Sequence, residues 1–322
     1  MKRIINFFLS GTYGDYIMAT GALPPLKYCG YQIRVIGVQP YIALLENHPL
    51  IDHLVVVPEE TAADPIAMCA YADNLLGETG KYFGTNDYWT WSKAPDLIES
   101  HTHIVDTYCE RLKVPVNREL SIHIPDDIQE WGKQFSDYVL VQAQSFSSPY
   151  KQWPIPYWQQ LCSRIQSELG LKVMQIGAAS DRSIPGLEKV DSPTLKHAIA
   201  AIKYARLFIG LDSVFNHATQ AIKKPSIILW QSTDPLILGY EQNLNIVNGV
   251  EWKPYMKKSA PMLRCQPCYI SIWDFYEGTV CDHMMPKEEL TESGSSIYLP
   301  ACQLGNSVDA VFKHVVQFLG QQ

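Results

Sequence analysis

Residues 206–235 constrain the fold more than any other stretch. Leu207-Phe208-Ile209 is an apolar run that ends at Gly210, the pattern of a buried strand. Asp212 and Ser213 are residue types that cap helices, and Val214 to Ile222 continues with helical character. Pro225 stops that helix, and Ile227-Ile228-Leu229-Trp230 reads as a second buried strand. It gives way to a polar loop, Gln231-Ser232-Thr233-Asp234-Pro235. Strand, helix and strand in this order form a crossover between parallel strands. Open parallel sheets bind ligands outside the carboxyl ends of their strands, and a helix N-terminus attracts anions through its N–H groups and dipole. The stretch therefore points to a phosphate-bearing ligand at Asp212–His217. The plainer alternative is a capped helix in any α/β protein.

The same alternation runs through the rest of the chain. Ile4–Leu9, Ile33–Gly37 and Ile51–Val57 read as strands, separated by helices over 16–28 and 40–46. Pro24-Pro25 must end or kink the first helix. The region 60–100 is harder to read. It carries an aromatic piece, residues 82–91, that either packs a core or offers ring faces to a sugar. A polar helical segment, Asp126 to Asp137, connects two halves. Strands at 138–142 and 172–177 then alternate with helices over 157–169, stopped by Gly170, and 192–204, capped by Ser192. At 322 residues, two domains are expected. They are placed at 1–130 and 131–306, followed by a final amphipathic helix within 307–322. The class is α/β, with two Rossmann-like domains facing each other across a cleft.

Net charge is −7, which provides no basic field for nucleic acid and excludes it as the main partner. The longest apolar runs fall short of a membrane span, which leaves room only for a peripheral membrane contact. The start, MKRIINFFLS, reads as a strand and not as a signal peptide. Cys29, Cys69, Cys109 and Cys162 are scattered singly, as buried reduced cysteines would be, and a reducing cytoplasm is expected. Cys265 and Cys268 form a C-x2-C pair, followed by Cys281 and Cys302. Four such thiolates suit one structural zinc or iron with no open coordination position; the alternative is four reduced cysteines, or two disulfides outside the cytoplasm.

Three motifs resemble glycosyltransferase family 9, the ADP-heptose:lipopolysaccharide heptosyltransferases. They are Gly14-Asp15 with the apolar run to Leu23, Lys151-Gln152-Trp153-Pro154, and Asp212-Ser213-Val214-Phe215-Asn216-His217. Ser232-Thr233-Asp234-Pro235 is similar to the family's Pro-Thr-Asp-Pro loop. Thr20-Gly21 replaces the family's Thr-Pro, and Val214 stands where glycine is usual. The resemblance implies a GT-B fold whose final helix crosses back to the first domain, and inverting transfer of a heptose-like sugar from a nucleotide-diphospho-sugar such as ADP-heptose. The acceptor would be a glycan or protein hydroxyl, and no cofactor is needed for the chemistry. Ser147, Lys151, Asp212, Ser213, His217, Thr233 and Asp234 would hold the donor, and Asp15 would be the base.

Each role also has a reading from the residue alone. Lys151 can meet a diphosphate as a point charge, or be a solvated surface lysine. Asp212 repels phosphate, so capping the helix or binding a sugar hydroxyl suits it better. Asp15 is otherwise the cap of the helix that follows it. The cysteine spacing is similar to the iron finger of the autotransporter heptosyltransferases, which glycosylate protein. That is one rival function; a catalytically silent nucleotide-sugar-binding protein, suggested by Val214, is another.

Overall fold

The computed structural model describes residues 3–9, 11–58, 60, 65–84, 102–253, 268, 281–287 and 297–321. The chain divides into two units, 1–125 with 220–222, and 126–219 with 223–322.

The first unit is built on a parallel sheet. Its strands are β1 (Arg3–Phe8), β2 (Tyr31–Gly37), β3 (His53–Val56) and β4 (Lys81–Gly84), in the order β3-β2-β1-β4. The fourth strand lies in the region whose pattern the sequence obscured. Between β1 and β2 the expected single helix is three pieces: α1 (Tyr13–Ala19), a 3₁₀ turn (Thr20–Ala22) and α2 (Leu23–Tyr28). Pro24 and Pro25 occupy the first turn of α2, where a missing N–H costs nothing. Helices α3 (Pro65–Leu76) and α4 (Ile104–Leu112) complete the unit. Ile5, Phe7, Tyr16, Leu23, Leu26 and Val35 are buried in one core cluster, each contributing about 1.5–3 kcal/mol through lost apolar surface. Residues 121–124 form no helix or strand.

The second unit begins with α5 (Asp126–Gly132). It continues through β5 (Tyr138–Val141), α6 (Ile155–Leu169), β6 (Lys172–Gln175), α7 (Leu195–Tyr204), β7 (Leu207–Leu211), α8 (Val214–Ala221), β8 (Ile227–Trp230), α9 (Pro235–Leu238), β9 (Leu244–Val247) and β10 (Val250–Trp252). The sheet order is β10-β9-β8-β7-β5-β6; all pairs are parallel except β10 with β9. Gly170 ends α6 in the left-handed region at φ 66°, as its position after the helix required. Thr194, not Ser192, caps α7, its hydroxyl accepting from the backbone N of His197.

After β10 the described residues form a hairpin of β11 (Met284–Lys287) and β12 (Ile297–Pro300), then α10 (Ala301–Gly305) and α11 (Val308–Gly320). Ser307 caps α11. Val311, Phe312 and Val315 join the core that holds Trp158, Leu161 and Ile165 of α6. The Arg164 guanidinium lies 3.9 Å from the Phe312 ring centroid and binds Asp309 at 2.7 Å.

Candidate active site

In the second sheet β6 lies on one side of β5 and β7 on the other, so the chain reverses its winding direction between β5 and β7. Loops leaving the carboxyl ends of two such strands part in opposite directions and leave a crevice, the usual ligand position of this architecture. Lys151 follows β5 and Asp212 follows β7.

These two side chains meet. Nζ of Lys151 lies 2.7 Å from Oδ2 of Asp212, with side chains 9% and 2% exposed. The Thr233 hydroxyl, beyond β8, donates to the same carboxylate oxygen at 2.8 Å. Two charges this buried persist only when paired and hydrogen-bonded, and here the carboxylate receives both. Lys151 is thus neither a solvated surface lysine nor loose. The Gln231 amide, oriented to donate, reaches its backbone carbonyl at 2.6 Å. Of the ammonium's three donors, the ion pair uses one.

Asp212 does not cap α8. Ser213 does: its hydroxyl oxygen accepts from Phe215 N at 3.2 Å, and the same hydroxyl donates to Gln142 Oε1 at 2.8 Å. Ser145 donates to the Asp212 carbonyl at 3.0 Å and lies 3.4 Å from the Ser147 hydroxyl. Gln142, Ser145 and Gln231 are buried members of this arrangement that sequence motifs did not single out. The available signal was polar residues at the ends of apolar strands. Trp153 is structural, since its indole N–H donates to the Asn306 carbonyl at 2.7 Å. Asp234 caps α9 by accepting from Leu236 N at 2.8 Å.

His217, on α8, is buried, with Nδ1 2.8 Å from the Tyr240 hydroxyl. Burial, the largest influence, together with the Lys151 charge, outweighs the Asp212 carboxylate and lowers its pKa to about 4. The ring is therefore neutral near pH 7.

Asp15 is in the first unit, in the loop–helix segment after β1, at that sheet's own reversal point between β1 and β4. It is not the cap of a helix starting at residue 16. The helix starts earlier, with Thr12 at the cap, and the carboxylate accepts from the Thr12 backbone N at 2.7 Å. Gly11 makes room for it. Its φ is +92°, and a Cβ there would stand 2.3 Å from Asp15 Oδ2.

Among the cysteines expected to hold a metal, Cys265 lies outside the described residues. Cys268 is exposed, Cys281 half-buried and Cys302 buried. Among the described residues no group of three His, Cys, Asp or Glu side chains is placed to hold a metal. The donor set expected from the spacing is thus not assembled by the three described thiols, and no chemical step is assigned to a metal. Cys69, Cys109 and Cys162 are buried as expected, Cys29 only in part. The aromatic residues 85–91 lie outside the described residues. No helix among the described residues is long and apolar enough to cross a membrane.

The profile of glycosyltransferase family 9 (heptosyltransferase) matches residues 85–265, more than half of the chain. No curated protein matches. Several solved structures are similar. A family 9 glycosyl transferase of Veillonella parvula has a TM-score of 0.67 at 18% identity, covering 100% of this chain and 98% of its own. The iron-containing dodecameric glycosyltransferase TibC of enterotoxigenic E. coli has a TM-score of 0.64 at 15% identity, covering 99% of this chain and 76% of its own. ADP-heptose LPS heptosyltransferase II of E. coli has a TM-score of 0.58 at 14% identity, covering 86% and 98%. At these identities the likeness establishes the GT-B type of fold, two Rossmann-like α/β units, and the profile establishes the family. The chain belongs to glycosyltransferase family 9, the heptosyltransferases, and is a glycosyltransferase.

Proposed function

We propose that the protein transfers a heptose-like sugar from a nucleotide-diphospho-sugar, of the ADP-heptose class, to a hydroxyl of a glycan or protein, with inversion. The observation that carries this reading is the Lys151–Asp212–Thr233 cluster at the carboxyl ends of three neighbouring strands. An ammonium held there offers its remaining donors to a diphosphate and stabilises the charge that develops as it leaves. Structures of similar proteins in complex with ADP-D-β-D-heptose and with ADP support the choice of donor.

Ser147 and the start of α8 would contribute polar groups to the diphosphate, and His217 a neutral hydrogen-bonding group. Thr233 and Asp234 would stand toward the sugar. Asp15 would act as base. In a single displacement the acceptor oxygen bonds to the anomeric carbon and its proton passes to the Asp15 carboxylate. The bond from that carbon to the diphosphate oxygen breaks, and the nucleoside diphosphate departs with the electron pair. The reaction needs these residues and two substrates.

Titration calorimetry with ADP, followed by an assay of nucleotide release from ADP-heptose, tests the proposal. Binding at micromolar to low millimolar ADP and slow donor hydrolysis without acceptor are expected. A protein that binds neither ADP nor ADP-heptose at millimolar concentration would overturn it.

A further inference from the structure

Tyr240, just past α9, is 4% exposed, and its hydroxyl lies 2.8 Å from Nδ1 of His217. The two rings stand at 90° with centroids 5.7 Å apart, and the Tyr240 carbonyl accepts from Asn245 Nδ2 at 3.0 Å. The phenol is thus held against the histidine by its hydroxyl, and its backbone is anchored through the carbonyl. We propose that Tyr240 is a positioning residue: its hydroxyl donates to Nδ1 of His217 and fixes the ring proton on Nε2, so that the histidine presents an N–H to the anionic oxygens of the donor.

A buried neutral imidazole carries one proton, and the partner of one nitrogen decides which nitrogen holds it. A phenol donates more strongly than it accepts, and an imidazole nitrogen is a strong acceptor, so the hydrogen bond itself favours Tyr240 donating to Nδ1 and the proton standing on Nε2. The surroundings add to this. The ring is within electrostatic reach of the Asp212 carboxylate and the Lys151 ammonium, and burial keeps it uncharged. Of these two charges the carboxylate acts on the ring more strongly than the ammonium, and a bound diphosphate would add to it; with Nδ1 against the phenol, Nε2 is the nitrogen left to that negative field, where a lone pair is repelled and an N–H attracted. The Nε2–H tautomer therefore wins, and it requires Nδ1 to accept from Tyr240. A histidine held this way serves the anion without a charge of its own.

This inference rests on the proposed donor, so its test has one arm that does not. Nitrogen-15 NMR of the free protein, with the His217 signals assigned by their loss in His217→Gln, reads the tautomer directly. The Nε2–H form is expected in the wild type, and a shift toward a mixture in Tyr240→Phe, which keeps the ring packing. ADP, the binding probe, should bind about 3–10-fold more weakly to Tyr240→Phe, the worth of one hydrogen bond. In a His217→Gln background the same change should cost nothing further, because the group it positions is gone. An Nδ1–H tautomer in the wild type overturns the proposal even if Tyr240→Phe does not fold. So does an unchanged tautomer in that variant, or an equal loss of ADP affinity with glutamine at 217. Failure of the wild type to bind ADP would instead strike the proposed donor and leave the tautomer measurement standing.

Discussion

Replacing Lys151 by methionine tests the centre of the site, because it separates what the ion pair does for folding from what the lysine does for the ligand. Lys151→Met keeps the length of the side chain and removes its charge. Asp212, whose side chain is 2% exposed, then keeps only the Thr233 hydroxyl of the two groups that contact Oδ2. Breaking a buried pair on one side typically costs about 3–5 kcal/mol, since the survivor is a buried charge without its counter-ion. At a urea slope of about 2 kcal/mol/M the unfolding midpoint of the second unit should fall by roughly 1.5–2.5 M. Tryptophan fluorescence reports mainly this unit, which holds six of the eight tryptophans, Trp131, Trp153, Trp158, Trp230, Trp252 and Trp273. Lys151→Met combined with Asp212→Asn should recover most of the loss, because no uncompensated charge remains. ADP affinity should stay about 10–100-fold below wild type in both variants, as the lost ammonium hydrogen bond cannot be restored by neutralising its partner. If the double variant is no more stable than Lys151→Met, the ion pair is not the source of the cost. If it regains ADP affinity, Lys151 does not hold the diphosphate.

Three further outcomes are expected. Asp15→Asn should lose less than about 1 kcal/mol of stability, because an amide oxygen can still accept from Thr12 N, and turnover should fall roughly 10²–10⁴-fold; retention of a tenth of wild-type turnover with the true acceptor would remove Asp15 as base. Gly11→Ala combines a φ of +92° with a Cβ only 2.3 Å from Asp15 Oδ2. It should cost about 1–3 kcal/mol and lower turnover along with stability, and an alanine variant as active as the wild type would show that the carboxylate's placement is not critical. Burial lowers the His217 pKa from 6.5 to about 4, so between these pH values the unfolded chain binds a proton that the folded protein does not. Stability should therefore fall as pH drops from 6.5 towards 4, by roughly 3 kcal/mol in total, and His217→Gln should flatten that part of the denaturation profile; parallel profiles for the two proteins would refute it.

Much of this molecule was legible as a string of residues. Apolar runs such as Leu207–Leu211 and Ile227–Trp230 are strands buried on both faces of a parallel sheet, where a short run bounded by turn residues needs no polar side. Gly170 ended a helix and Ser307 began one, for local reasons that depend on a few neighbouring residues. The polar loops at strand ends marked where the site would form, and the motifs at Lys151 and Asp212 named its central pair. Local rules also misled where two signals competed. Pro24-Pro25 were read as ending or kinking the helix over 16–28; that helix is broken into three pieces, and the prolines lie in the first turn of the last, while Ser192 was chosen as a cap two residues before Thr194.

What only the tertiary structure decided is which groups meet. Asp212 looked like a cap and is the counter-ion of Lys151, with Thr233, 21 residues away, as its second partner. Ser145 reaches the Asp212 carbonyl across 67 residues, and the Trp153 indole finds Asn306 across 153. Tyr240 carried no motif and fixes a histidine. The final helix buries Val311, Phe312 and Val315 beside Trp158, Leu161 and Ile165 of a helix far earlier in the chain. A strand or a cap is set by the backbone and side chains of adjacent residues, so its signal lies within one short window. The charge state and partner of a buried polar group are set by the surroundings from which water has been removed. Those surroundings come from distant segments and exist only once the sheet has brought its strand ends together.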